Sequence, residues 1–206
     1  MTKGMTQLLM PTIYYIRHGE TEWNAQGRLQ GTRDIPLNDL GRKQAESAGV
    51  ILADLFARDG RNEASLAFVA SPLVRARLTM EIVRGMLRVP PDDYALDDRL
   101  REIGYGDWEG STLAQMQASD PEGFARRQAD KWTVPPPGGE SYAAVQARVG
   151  DWYKQLSADT VAVAHGGTAR ALMVVLGIET PQSAADLTIE QGAVYVFGEG
   201  GLAKYC

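Results

Sequence analysis

Only two histidines occur in the chain, His18 and His165, and both stand in the same local setting. Each follows a short apolar run, Ile13-Tyr-Tyr-Ile16 (with Arg17 between) and Val161-Ala-Val-Ala164, and each is followed by glycine. Runs of β-branched and aromatic residues read as buried strands. In open α/β sheets, ligands bind beyond the carboxyl ends of the strands. Two imidazoles and the Arg17 guanidinium are therefore expected where a ligand would sit. Imidazole is a nucleophile or proton carrier near neutral pH, and guanidinium is a fork for oxyanions. A lone histidine at a strand end is most often just a satisfied polar residue. Two in matching contexts favour catalysis.

Other chemistry-bearing residues fall at similar places. Leu66 to Ala70 reads as a strand ending in Ser71-Pro72, with Ser71 as helix N-cap and Pro72 as first helical residue. Arg75 then lies in the first turn, where unpaired N–H groups already favour anions. The alternative is a surface arginine paired with a carboxylate, which suits Arg77 better. After Thr21 comes a glycine-bearing polar loop with Asn24, Arg28 and Gly31. Asn24 and Arg28 either contact substrate or only pin the loop. Glu102 is one of several acids in a glycine-rich stretch, and residue types alone do not separate it from Asp98, Asp107 or Glu109.

The elements that must position these groups alternate between strand and helix. Asn38 or Asp39 caps a helix whose Ala45, Ala48, Leu52, Leu55 and Phe56 recur at helical spacing. A second helix presents Ala76, Met80, Val83 and Leu87. Tyr94 to Leu96 reads as a short edge strand. One or two helices are expected over 112–129, restarting at Asp120-Pro121, with a weakly apolar face (Leu113, Met116, Phe124) suited to covering a pocket. Ser141 caps a helix with Val145, Val149, Trp152 and Leu156 inside. Thr168 begins a helix over Ala169–Leu176, closed by Gly177. Ala193 to Phe197 is expected as the last strand, before a turn at 198–201.

Composition bounds the function. The chain has 206 residues, 44% hydrophobic, enough for one cored domain. A net charge of −5 argues against a nucleic-acid surface but not against a small anionic substrate, because arginines in a cleft can reverse the sign locally. No run approaches the roughly 20 apolar residues of a membrane helix. The single cysteine, Cys206, allows neither an internal disulfide nor a thiolate metal site. Residues 1–11 hold too short an apolar patch for a secretory signal, and Met5 and Met10 are alternative starts. The expectation is a soluble cytoplasmic protein.

Arg17-His-Gly-Glu-Thr-Glu-Trp-Asn24 resembles the signature of the histidine phosphatase superfamily, phosphoglycerate mutase-like branch. Further blocks are similar, in the family's order: Gly27-Arg-Leu-Gln-Gly31 with Asp34-Ile-Pro-Leu37, Ser71-Pro-Leu-Val-Arg-Ala76 with Thr79, Leu100-Arg-Glu102 with Gly106-Asp-Trp-Glu-Gly110, Pro137-Gly-Gly-Glu-Ser141, and His165-Gly-Gly167. The resemblance implies a three-layer α/β/α sandwich on a mostly parallel sheet, as one domain over 1–206 with a cap-like insertion at about 104–135. It also implies roles. His18 would become phosphohistidine. Arg17, Arg75 and His165 would form the phosphate pocket, rimmed by Asn24, Arg28, Gly31 and Gly166. Glu102 would protonate the leaving group. Neither metal nor cofactor is implied. The partner would be a small phosphorylated metabolite, with no nucleic acid or membrane, and a homodimer is left open.

The chain departs from the pattern at Pro72, where an acidic residue commonly follows the serine, and at Leu78, where glutamine is common. More tellingly, Arg101-Glu-Ile-Gly-Tyr-Gly106 stands where true mutases resemble Glu-Arg-His-Tyr-Gly and carry longer insertions. That favours a phosphatase over a mutase, while the retention of His18, Arg75, Glu102 and His165 favours it over a non-catalytic phosphate-binding module.

Overall fold

The computed structural model describes residues 11–206. The segment carrying Met5, Met10 and the short apolar patch lies outside the described residues. Strand β1 (Ile13–Arg17) leads through α1 (Glu22–Ala25) to α2 (Asp39–Asp59). Next come β2 (Ala67–Ala70), α3 (Val74–Met86) and the two-residue β3 (Ala95–Leu96). Helices α4 (Leu113–Ser119) and α5 (Pro121–Ala129) precede α6 (Tyr142–Tyr153), β4 (Thr160–Ala164) and α7 (Gly166–Val175). The short α8 (Pro181–Ala184) and the hairpin of β5 (Val194–Gly198) and β6 (Gly201–Tyr205) complete the chain.

The strand order is β3-β2-β4-β1-β5-β6. β1, β2, β3 and β4 run parallel; β5 runs antiparallel to β1, and β6 antiparallel to β5. The sheet is thus parallel through its centre and mixed overall. Its two faces are built by the period-two alternation of strand side chains. Ile13, Tyr15, Ala162 and Ala164 point to one core, with Val145, Val149 and Trp152 of α6 and Leu172 of α7. Tyr14, Ile16, Val161 and Val163 point to the other, with Leu52 and Phe56 of α2 and Met80 and Val83 of α3. Both faces are covered, which explains why these strands read as continuous apolar runs. Leu52 is fully buried, so trimming it to alanine would cost about 2–5 kcal/mol.

Four local expectations change. The stretch after Thr21 is a one-turn helix, not an open loop. The Thr21 hydroxyl accepts from the Asn24 N–H at 3.2 Å, and Asn24 Oδ1 accepts from the Thr21 N–H at 3.2 Å. Ser71 does not cap α3, which starts at Val74 with Leu73 before it and no side-chain cap. Helix α7 starts at Gly166, not Ala169, so His165 is its N-cap and the Thr168 hydroxyl reaches back to the His165 N–H at 3.0 Å. Finally, β6 follows β5. Its residues are exposed or half-buried and show no alternation, so no pattern announces it. Asn38 does cap α2, accepting from the Gly41 N–H at 2.8 Å. Among the described residues no helix is long and apolar enough to cross a membrane.

Candidate active site

The site is laid out by backbone register. Beyond the end of β1, the His18 N–H donates to the Ala164 carbonyl of β4 at 3.0 Å. Beyond the end of β2, the Ser71 N–H donates to the Val163 carbonyl of the same strand at 2.9 Å. Three adjacent parallel strands therefore deliver His18, His165 and Ser71 side by side. The two imidazole rings are 5.1 Å apart, centroid to centroid. After His18 the chain turns tightly over the start of α2. A Cβ on Gly19 would lie 2.1 Å from the Gly41 carbonyl oxygen, so only glycine fits there.

His18 is 2% exposed. Its Nδ1 lies 2.7 Å from the Gly19 carbonyl, and its Nε2 lies 3.2 Å from Nε of Arg75. A carbonyl only accepts and a guanidinium N–H only donates. Nδ1 therefore carries the proton, and Nε2 presents its lone pair. Burial, followed by the charges of Arg75 and Arg17, pushes the His18 pKa well below the ordinary imidazole value. Burial does the same to His165, helped by Arg75 and His18. Both rings are neutral at pH 7.

Arg75 is fully buried and holds three acceptors at once. Besides His18 Nε2, its terminal nitrogens donate to the carbonyls of Arg33 (2.6 Å) and Gly31 (2.8 Å). Gly31 thus anchors Arg75 through its backbone as well as lining the cavity. Burial lowers the Arg75 pKa to about 10, which still leaves it charged. Arg17 donates to the Ile189 carbonyl at 2.6 Å, while its Nε is buried with no partner among the described residues. Burial lowers its pKa too. His165 is clamped at its backbone by Tyr15, whose hydroxyl donates to the His165 carbonyl at 2.7 Å and accepts from its N–H at 3.0 Å.

Geometry also separates the acids. Glu102 lines the cavity, and its Oε1 accepts from the N–H groups of Ile103 (2.9 Å) and Gly167 (3.0 Å). Asp98 instead pairs with Arg101 at 2.7 Å, and Glu109 with Arg33 at 3.1 Å. Asp107 is exposed and does not line the cavity. Asn24 and Arg28 both line the cavity while also pinning the loop. Asn24 closes the α1 capping box, and Arg28 donates to the Gly110 carbonyl at 2.6 Å.

The cavity measures about 350 Å³. Arg17, His18, Arg75, Glu102 and Gly166 meet at it; His165 does not line it, and its ring lies 5.1 Å from that of His18. The weakly apolar face of α4 and α5 supplies Leu113, Met116 and Phe124 to its lining. Sequence reasoning did not single out Tyr105 and Arg127 within the cap-like stretch, nor Tyr142 and Arg170 outside it, and all four line the cavity. Arg127 is 6% exposed and lies between the Tyr105 and Tyr142 rings. Arg170 donates to the Tyr142 hydroxyl at 2.9 Å. Burial drives the Tyr105 phenol well above its ordinary pKa, so it stays protonated. A helical-face reading of α5 that placed Arg127 beside Phe124 would have found one of them. Six basic residues (Arg17, Arg28, Arg75, Arg127, Lys131, Arg170) line the cavity against two acids, Glu102 and Asp186. The cavity is cationic in an anionic chain, as an anionic ligand requires.

Comparison with known proteins agrees with this picture. Residues 13–201 match the model of the histidine phosphatase superfamily (branch 1). The chain is 32% identical over 193 residues to a 2,3-bisphosphoglycerate-dependent phosphoglycerate mutase of Sinorhizobium fredii, covering 90% of this chain and 89% of that protein. It is 33% identical over 198 residues to the protein of the same name from Methylocella silvestris, covering 90% of each. Among solved structures, mycobacterial glucosyl-3-phosphoglycerate phosphatase in complex with VO3 superposes with a TM-score of 0.77, at 30% identity and 91% coverage of each chain. Bacillus stearothermophilus YhfR gives 0.75, at 29% identity and 94% coverage of each. The match to the family model spans nearly the whole chain, and on that ground the chain belongs to the histidine phosphatase superfamily (branch 1).

Proposed function

We propose that the chain hydrolyses small phosphomonoesters through a phosphohistidine on His18. The carrying observation is the setting of that ring: its Nδ1–H is fixed on the Gly19 carbonyl, and its Nε2 lone pair faces the buried Arg75, whose Nε–H it accepts at 3.2 Å until a phosphoryl group arrives. In the first step Nε2 attacks phosphorus, the ester P–O bond breaks, and Glu102 gives its proton to the leaving alkoxide. The Gly19 carbonyl stabilises the positive ring that forms. In the second step water attacks phosphorus, losing its proton to Glu102, and the P–N bond breaks with its electron pair returning to Nε2. Inorganic phosphate leaves and His18 is restored. Charge spreads over the equatorial oxygens in both transition states, so cations already in place supply most of the stabilisation. Arg17, Arg75 and the N-terminus of α7 meet that need.

The hydrolase reading draws on the Arg101–Gly106 motif and on structural neighbours named phosphatases. The mutase reading has its own support. The curated relatives cited above carry that name and are nearly as long as this chain, so the lack of a long insertion does not separate the two activities. A strongly basic cavity would also hold an anionic intermediate. The deciding assay incubates wild type and His18→Ala with 3-phosphoglycerate and a panel of other esters in EDTA. Release of inorganic phosphate by wild type alone is expected. Conversion to 2-phosphoglycerate without release would establish the mutase. Activity in His18→Ala would overturn the nucleophile.

A further inference from the structure

Glu102 sits on a stretch without regular structure, between the single helical turns Asp98–Leu100 and Gly106–Trp108. Buried backbone groups need partners, and here no helix or strand supplies them. One ion pair does. Arg148, from α6, forks onto the Glu140 carboxylate, its Nε 3.1 Å from Oε1 and a terminal nitrogen 3.0 Å from Oε2. The other hydrogen bonds of this pair go to the stretch that carries Glu102. Arg148 donates to the carbonyl of Arg99 at 2.6 Å and to that of Glu102 itself at 3.4 Å. Glu140 Oε2 accepts the Gly104 N–H at 3.1 Å, and the Glu140 N–H donates to the Gly104 carbonyl at 2.8 Å. The backbone is thus tied before Glu102, at it, and two residues after it. Neither Glu140 nor Arg148 lines the cavity, and nor does any other residue of 137–141.

We infer that Glu140 and Arg148 are positioning residues for Glu102: their ion pair holds the irregular strap that carries the acid, so that its carboxylate meets the N-terminus of α7 at the cavity. Both side chains are partly exposed, and a pair of this kind adds little stability on its own. What it adds is direction. A planar guanidinium locked by its fork on a carboxylate has its remaining N–H groups at fixed places, and the strap's carbonyls lie at those places. Leu100 and Ile103 are fully buried and anchor the same stretch in the core. Those two anchors leave the backbone between and beyond them unpaired, and the ion pair completes the constraint. The position of a reacting group matters far more to rate than to stability, because a shift of about 1 Å typically costs about 100-fold.

The kinetic consequence rests on the phosphate-transfer reading above; the placement of the carboxylate does not. Gly167 reports that placement. It is the second residue of α7, where an N–H has no acceptor inside the helix, and Glu102 Oε1 takes it. The test is amide hydrogen exchange read by NMR, with turnover measured alongside, in Glu140→Gln and Arg148→Lys. The Gly167 amide is expected to exchange at least about 10-fold faster in both, while Leu172 and Met173 of the same helix keep their wild-type rates. For an alkyl phosphate, kcat should fall by about 10- to 100-fold, with KM and inhibition by inorganic phosphate nearly unchanged. Adding Arg148→Lys to Glu102→Gln should cost less than about threefold more, because the pair acts through that carboxylate. A purely structural pair would lower the melting temperature, leave Gly167 protected in the folded variants, and multiply its loss with that of Glu102→Gln. Either unchanged Gly167 exchange or fully multiplicative losses would overturn the inference. So would free exchange of the Gly104 amide in wild type, a result that needs no variant to fold, since the Glu140 carboxylate is its acceptor. Faster Gly167 exchange in the variants, with no action of wild type on any phosphoester, would uphold the placement and remove the enzymatic reading instead.

Discussion

Replacing Gly167 with alanine should disable turnover while leaving the fold nearly intact. Gly167 is the second residue of α7, and its N–H donates to Glu102 Oε1. A Cβ at this position would stand 2.3 Å from that oxygen and 2.9 Å from Cγ2 of Ile103. Ordinary contact begins near 3.4 Å, so the carboxylate oxygen must retreat by about 1 Å. A displacement of that size in a reacting group typically costs about 100-fold in rate. The stability cost is much smaller. The oxygen is the far end of a flexible side chain, and alanine gains roughly 0.5–1 kcal/mol over glycine in a helix. That gain offsets part of the lost hydrogen bond, worth about 0.5–1.5 kcal/mol. The assay is steady-state release of phosphate from an alkyl phosphate, whose leaving group needs a proton, alongside a thermal melt. Turnover about 100-fold lower, with a melting temperature within a few degrees of wild type, is expected. With p-nitrophenyl phosphate, whose leaving group needs no proton, a burst of nitrophenol should survive ahead of a slow steady state. Wild-type turnover of the alkyl ester would refute the assignment of Glu102 as proton donor.

Other perturbations probe the remaining parts. Arg75→Lys keeps the charge but loses the fork that spans His18, Arg33 and Gly31; kcat should fall by about 100- to 1,000-fold, and a loss under threefold would remove Arg75 from the mechanism. Tyr15→Phe deletes the hydroxyl that clamps the His165 backbone, and urea unfolding should show a loss of about 1–3 kcal/mol. Stability should also depend on pH through the histidines. Both have folded pKa values well below the ordinary 6.5, so below that pH the unfolded chain takes up protons that the native chain does not. Each ring should then remove up to about 1.4 kcal/mol per pH unit as the solution is acidified below about 6.5, with no contribution above it. Denaturant midpoints that stay flat from pH 7 to 5 would show that the rings are not buried neutral.

Much of the site could be read from the sequence because its groups sit at strand ends, and strands announce themselves through continuous apolar runs. His18, His165 and Arg75 follow from that logic. What was not legible depended on pairings distant in sequence. Nothing local separates Glu102 from Asp98 or Glu109; only the fold turns the first toward α7 and gives the others arginine partners on the surface. Ser71 looked like a cap because serine before proline usually is one, and the His165 imidazole that claims it lies 94 residues away. Arg127 and Arg170 drew no reading from the sequence, because the tyrosines they meet, Tyr105 and Tyr142, are brought to them only by the fold. Strand β6 is exposed along nearly its whole length and is paired only by its hairpin neighbour, so its identity comes from β5 and not from a buried face of its own.

The strand order carries a consequence for how the molecule comes into being. β1 and β2 never touch; the gap between them is filled by β4, which leaves the ribosome roughly 90 residues after β2. Until then the first two strands have no partner joining them, and the ring that will attack phosphorus has no neighbour at Ala164. β4 must slot into the centre as a parallel strand on both sides, a slow and entropically costly closure. A nascent chain that stops short of Thr160 is therefore not a weaker enzyme: its β1 has neither neighbour, and its β2 is paired only with the two-residue β3. The reactive pocket and the complete hydrophobic core appear together, so a chain able to attack a phosphoester is one that has already finished folding.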